Sequence, residues 1–140
     1  CALPIFARDG EGATRLVRAT VRGAADRGEA RRIAKSLINS PLVKTMVFGT
    51  DPNVGRLLMA VGKCFDCRVD PARLIAGIGG VTVYRDGART AFDEGEVRSI
   101  LGRDPVDIMV DLGVGDGEAR AWGCDLTPGY IEENAAYYSS

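Results

Sequence analysis

Histidine is missing from all 140 residues. With it go the commonest general base and the commonest nitrogen ligand for zinc. Acid–base chemistry would have to use carboxylates, lysine, tyrosine or an α-amino group. An excess of one charge is missing too. Lys and Arg number 18 against 19 Asp and Glu, a net charge of −1, so composition gives no reason to expect nucleic acid or an anionic membrane as partner. No apolar run approaches the ~18 residues that span a bilayer, and the chain shows no secretory signal pattern, internal repeat or low-complexity tract. Cysteine is sparse. Cys1, Cys64, Cys67 and Cys124 are too few and too scattered for a disulfide scaffold, and a cytoplasmic setting fits them better.

What is present is ordinary for a globular protein: 46% apolar and 26% charged residues. A chain of this length can bury a real core, so residues 1–140 are expected to form a single domain. In "TRLVRATVRG", Val17, Ala19 and Val21 alternate with Leu16, Arg18, Thr20 and Arg22, which predicts a half-buried strand. In "DRGEARRIAKSLINS", Ala30, Ile33, Ala34, Leu37 and Ile38 recur at helical spacing, with Arg31, Arg32 and Lys35 on the far side. Asp26 and Glu29 resemble a capping box at its start, and Pro41 helps to end it.

"LVKTMVFG" reads as a short buried strand or extended run. "TDPNVGRLLMAVGK" reads as a turn and a helix, capped by Asp51 or Asn53, packed through Leu57, Leu58 and Val61, and stopped at Gly62. Strands follow in "RLIAGIGG" and "VTVYRDG", the second turning at "RDG" into "ARTAF". "DEGEVRSILGRD" is a helix with acids in its first turn, where the dipole favours them. "VDIMVDLGVGDGEARAWGCDL" reads as an antiparallel pair turning at "GDG", and "TPGYIEENAAYYSS" as a short helix and tail. This order predicts an α/β or α+β fold, a mixed sheet layered with helices.

Several features could carry chemistry. Cys64-Phe65-Asp66-Cys67 has the spacing of a redox pair or of half a zinc site, but it follows a helix instead of opening one, and two loop thiols are the plainer reading. Cys1 could pair a thiol with a free α-amino group, yet no oxyanion-hole motif accompanies it. "GIGG" and "GVGDG" lack the P-loop lysine and the dinucleotide spacing, and hairpin turns explain them. Lys44 in "SPLVKT" could be a buried functional amine, although a lysine at a strand end reaching water is the simpler expectation. Glu11 sits between two glycines in "RDGEGATR". Those glycines let a ligand approach the backbone closely, and the carboxylate could hold an ammonium group by charge-assisted hydrogen bonds.

Taken together, "DGEGATR", "NSPLVKTMVFGTDPNVGRLLMAVGK" and "VDLGVGDGEARAWGCDLTPGYIEENAAYYSS" resemble the C-terminal part of the β chain of the ornithine acetyltransferase family. These are the bifunctional glutamate N-acetyltransferases of arginine biosynthesis. The resemblance runs in order over nearly the whole chain and is weakest across residues 64–100. It implies the C-terminal portion of the DmpA/ornithine-acetyltransferase-like fold, of α/β (α+β) class. It also implies a precursor that cleaves itself into α and β chains, assembled as an α2β2 heterotetramer in the cytoplasm. The new N-terminal threonine of the β chain is the nucleophile, with its own α-amino group as base, so the chemistry needs no histidine. Acetyl passes from N2-acetyl-L-ornithine to L-glutamate through an acetyl-threonine intermediate. No cofactor or metal is implied, though many members accept acetyl-CoA as donor.

Carried over residue by residue, the resemblance makes Glu11 the substrate-binding glutamate, Asn134 of "EENAAYYSS" the asparagine near the C-terminus, and Ser139 the late hydroxyl, in an ungapped reading that leaves Ser140 as one extra residue. No catalytic residue is expected in this chain, because the threonine belongs on an upstream segment outside these 140 residues, and Cys1 does not match it. Glu11 would grip the α-ammonium of ornithine or glutamate, while the amide of Asn134 and the hydroxyl of Ser139 suit the other end of the amino acid. The expected partners are the α chain, the upstream β-chain segment and the small-molecule substrates, with no nucleic acid and no membrane. Val54 stands where the family usually carries tryptophan in "DPNWGR". The competing expectations are a non-catalytic amino-acid-binding module related to this family, and a thiol redox module at Cys64 and Cys67.

Overall fold

The structure, a computed structural model, describes residues 15–124. Its first strand, β1 (Leu16–Ala24), buries Val17, Ala19, Val21 and Ala24, as the alternation predicts. Helix α1 (Arg27–Asn39) buries Ala30, Ile33, Ala34, Leu37 and Ile38. The Asp26 carboxylate accepts the Glu29 backbone N–H at 2.8 Å, satisfying one orphan donor of the first turn. The reciprocal half of a capping box does not form. Glu29, 8% exposed, instead accepts the Arg68 N–H at 2.7 Å through its Oε1, which ties a distant loop to the start of α1.

The segment expected to be extended, "LVKTMVFG", is helical. Helix α2 (Pro41–Phe48) begins at Ser40, whose hydroxyl accepts the Val43 N–H at 3.2 Å, with Pro41 in the first helical position. There the missing proline N–H costs nothing, because it would have had no partner. The buried set is Val43, Lys44, Met46 and Val47, a helical stripe and not an alternating one, and Leu42 and Phe48 stay exposed. Helix α3 (Val54–Gly62) follows a turn at Asp51–Asn53 and buries Val54, Leu57, Ala60 and Val61; Asn53 is its N-cap residue but makes no side-chain capping bond.

Strands β2 (Ile75–Ile78) and β3 (Val81–Arg85) form a hairpin. Gly79 and Gly80 both adopt positive φ, 56° and 88°, which is the backbone that a two-residue hairpin turn requires. A Cβ on Gly79 would also come 2.3 Å from Ile100 Cγ2. Asp86 and Gly87 turn β3 into the short β4 (Ala88–Arg89). Helix α4 (Glu94–Leu101) carries Glu94 and Glu96 in its first turn, and the Asp93 carboxylate accepts the Glu96 N–H at 3.0 Å.

The last two described strands, β5 (Val106–Asp111) and β6 (Gly117–Cys124), correct a second expectation. They do not pair with each other. The six strands run β4-β3-β2-β5-β1-β6, with β1 inserted between β5 and β6, parallel to the first and antiparallel to the second. The connection 112–116 therefore crosses the end of β1. Leu112 N–H donates to Arg22 O at 2.9 Å, and Val114 and Gly115 donate to Gly23 O at 2.8 and 2.9 Å. The crossing is so close that a Cβ on Gly117 would lie 2.2 Å from Asp26 O. The glycines of "GVGDG" serve this backbone-on-backbone approach, not a hairpin.

The resulting architecture is the mixed α+β layering that the sequence predicts. Helix α1 packs on β1 and β6, α2 and α3 stack on α1, and α4 meets β2. The covered face of the sheet holds Val17, Ala19, Val21, Val106, Ile108 and Val110. The opposite face carries Arg18, Thr20, Asp107, Met109 and Trp122, all only partly buried, with Arg18 Nε donating to Asp107 Oδ1 at 2.5 Å. No helix among the described residues is long and apolar enough to cross a membrane.

Candidate functional site

Glu11, Asn134, Ser139 and Cys1 all lie outside the described residues. The described region shows where the segments bearing them attach. Leu16, at the start of β1, is the register partner of Cys124, at the end of β6. The two attachment points are thus side by side at one end of the sheet, although they lie more than a hundred positions apart in sequence. Just before β1, Arg15 makes three hydrogen bonds to helix ends. Its Nη1 donates to Leu101 O at 2.7 Å, and its Nη2 to Val47 O at 2.9 Å and Phe48 O at 3.1 Å. These acceptors are carbonyls at the C-termini of α4 and α2, which lack partners within their own helices. A cation there also meets the negative ends of two helix dipoles. Arg15 therefore anchors the residue four positions after Glu11 to two helices at once.

Beside this anchor, α2 carries Lys44. Its exposure is 3%, which corrects the expectation of a lysine reaching water. That expectation assumed a strand; in a helix the same residue joins the inward stripe of Val43 and Val47. Among the described residues the Lys44 ammonium makes no hydrogen bond or ion pair. Burial lowers its pKa from the ordinary lysine value, and the nearby Cys124 opposes this only in part. A buried amine with no anion beside it is costly.

The other chemical candidates are less developed. Cys64 and Cys67 sit in the loop after α3, unbridged. Their sulfurs approach Arg32 O and Glu29 O, each at 3.9 Å. Burial pushes the Cys67 thiol up, more than Arg32 draws it down, so little of it is thiolate at neutral pH. No cluster of three or more Cys, Asp or Glu suited to a metal occurs among the described residues. "GIGG" is the β2–β3 turn. Val54 is 4% exposed and lines a shallow cleft of about 290 Å³ with Asp51, Tyr84, Arg89 and Glu94. There Arg89 pairs with Glu94 at 3.5 Å and lies over the Phe92 ring.

Nothing in the sequence marks Arg15, and the expectation of a strand turns Lys44 toward water. The available signal was Ser40-Pro41, an N-cap followed by proline at the first helical position. That pair favours a helix for α2, which turns Lys44 inward.

A model of the ArgJ family matches residues 4–139. The chain is 46% identical over 133 residues to "Arginine biosynthesis bifunctional protein ArgJ 2" of Nostoc sp., covering 94% of this chain and 34% of that protein. It is 49% identical over 133 residues to the bifunctional ArgJ protein of Gluconobacter oxydans, covering 94% and 31%. To "Glutamate N-acetyltransferase Oat2" of Streptomyces clavuligerus it is 43% identical over 137 residues, covering 94% and 35%. The crystal structure of the bifunctional protein argJ from Bacillus halodurans superposes with a TM-score of 0.84 at 42% identity, covering 96% of this chain and 63% of that one. The chain spans about a third of the length of these curated relatives.

Proposed function

The chain belongs to the ArgJ family, and from that premise we propose that it is the substrate-binding part of a glutamate N-acetyltransferase of arginine biosynthesis. The reaction moves acetyl from N2-acetyl-L-ornithine to L-glutamate. A threonine oxygen on an upstream segment displaces the ornithine nitrogen from the acetyl carbonyl, giving an acetyl-threonine. The glutamate nitrogen then displaces the threonine oxygen. The acetyl group changes partner and nothing is oxidised or reduced, so the scheme calls for no redox cofactor. Acetyl-CoA enters the same scheme as a second acetyl donor.

In this reading Glu11 holds the α-ammonium of ornithine or glutamate, and Asn134 and Ser139 bind the rest of the amino acid. The observation that carries it is identity of 46% to a bifunctional ArgJ protein across 94% of the chain. The geometry adds the adjacency of the attachment points: with Leu16 paired to Cys124, the segments bearing Glu11 and Asn134 start from neighbouring strands. The partners are the α chain and the upstream part of the β chain, in an α2β2 assembly. The half-exposed sheet face bearing Thr20, Met109 and Trp122 offers a surface for them.

Acetyl transfer from N-acetylornithine to glutamate is assayed with this chain alone and with the upstream portion supplied, then repeated with acetyl-CoA as donor. Turnover is expected only when both portions are present, and turnover by the isolated chain would refute the assignment. Binding of ornithine and glutamate without transfer, even with all segments present, would instead identify a non-catalytic module. Glu11→Gln should lower kcat/KM roughly ten- to a hundredfold, the loss of about 1.5–3 kcal/mol for one hydrogen bond between charged groups; unchanged kinetics would remove Glu11 from the pocket.

A further inference from the structure

We propose that Cys64 and Cys67 form a site of reversible oxidation, a thiol pair that closes to a disulfide by exchange with a small-molecule disulfide. This chemistry lies outside acetyl transfer and does not depend on the function proposed above.

A disulfide asks for two Cα atoms about 4.4–6.8 Å apart and for side chains that converge. The loop after α3 meets both demands. The Cys67 N–H donates to Cys64 O at 3.0 Å. That bond closes a β-turn with the two cysteines at its ends, and such a turn brings its end Cα atoms within about 7 Å of each other. The sulfurs share a direction. Cys64 Sγ lies 3.9 Å from Arg32 O, and Cys67 Sγ lies 3.9 Å from Glu29 O. Those carbonyls are a single turn apart on α1, about 4.5 Å along its axis. Both thiols are half-buried against that helix, while Phe65 and Asp66, between them, are exposed.

The turn is also held in place. At its start the Cys64 N–H donates to Val61 O at 3.1 Å, and just past its end the Arg68 N–H donates to Glu29 Oε1 at 2.7 Å. Arg32 grips the middle, its Nε 3.4 Å from Asp66 Oδ2 and its guanidinium hydrogen-bonded to Cys67. A backbone already in the geometry of the product loses little freedom when the bond forms. Zinc would need further ligands, and no group of three or more Cys, Asp or Glu suited to a metal occurs among the described residues. The partner each thiol has within reach is the other thiol.

The exchange runs in two steps. Burial holds Cys67 mostly as the thiol, and the thiolate is the nucleophile, so the first attack is assigned to Cys64. Its sulfur bonds to one sulfur of the small-molecule disulfide and expels the other as a thiolate. Cys67 then gives its proton to solvent, its sulfur bonds to Cys64 Sγ, and the second small-molecule thiolate leaves. Two protein thiols are oxidised to one disulfide, and one small-molecule disulfide is reduced to two thiols.

The test uses the full-length protein that contains this chain, with oxidised glutathione as the probe. Cleavage after Lys63 and Arg68 releases residues 64–68, which carry both cysteines on one short peptide. After oxidation that peptide should be lighter by two hydrogen atoms and should lose alkylation at both sulfurs together. Reduced glutathione should reverse both changes. Cys67→Ser should stop at a glutathione adduct on Cys64, one that the unaltered protein does not accumulate. Glutathione adducts on the unaltered protein with no internal disulfide would overturn the proposal. So would two thiols that remain free and alkylatable in excess oxidised glutathione.

Discussion

Replacing Arg15 by alanine removes three hydrogen bonds to the ends of two helices. Each bond from a charged donor contributes about 1.5–3 kcal/mol when shielded. The bond to Phe48 O is exposed and those to Val47 O and Leu101 O are part-buried, so water recovers much of the loss, and bonds sharing one donor group are not additive. A net cost of about 2–4 kcal/mol follows, equivalent to roughly 8–16 °C in Tm for a domain of this size. Arg15→Lys should recover less than half of it, because a compact ammonium lacks the planar fork that spans α2 and α4 together. The assay is thermal unfolding followed by circular dichroism, with hydrogen exchange over residues 45–49 and 99–103 to locate the loss. On the proposed function, in which Glu11 holds the substrate, the KM for glutamate should rise as well. A Tm within about 2 °C of the parent, with unchanged exchange at both helix ends, would show that the three bonds do not bear on stability as the geometry requires.

Gly117→Ala should destabilise by at least about 2 kcal/mol in urea titrations, because the added carbon meets backbone and has nowhere to move. Gly62→Ala, where nothing lies within 4 Å, should be neutral or stabilising by up to ~1 kcal/mol. Replacing Cys64 and Cys67 together by serine should leave acetyl transfer essentially unchanged; its abolition would revive a redox role. Burial lowers the folded-state pKa of Lys44, so between that lowered value and the ordinary ~10.4 the unfolded chain binds more protons and stability rises with pH. Below that window the full cost of the buried charge is present, and the difference in unfolding free energy between Lys44→Met and its parent should shrink as the pH climbs through it.

Local pattern carried most of the elements. The two-residue period of β1, the helical stripe of α1 and the "RDG" turn each involve neighbours in sequence, and each appears where the residues predict it. The segment that forms α2 is ambiguous for a physical reason. An eight-residue run rich in Val43, Met46 and Val47 suits a buried strand as well as a short helix, and only its flanks distinguish them. The pairing of β5 with β1 was beyond any local signal, since a glycine-rich connection looks the same whether it reverses a strand or vaults over one. The chemical site divides in the same way. A carboxylate between two glycines is common, and Glu11 gained meaning only from family resemblance. Lys44 was hidden because the wrong element type pointed its side chain outward.

The insertion of β1 between β5 and β6 also sets a timetable for the ribosome. Arg18 meets Asp107 in the finished sheet, 89 residues further along, which at about 5–20 residues per second is roughly 5–18 s of synthesis. Throughout that interval the nascent strand emerges with both edges unmatched and its valines uncovered. Premature termination anywhere before residue 106 would leave it without either neighbour, a template for aggregation instead of a smaller version of the fold.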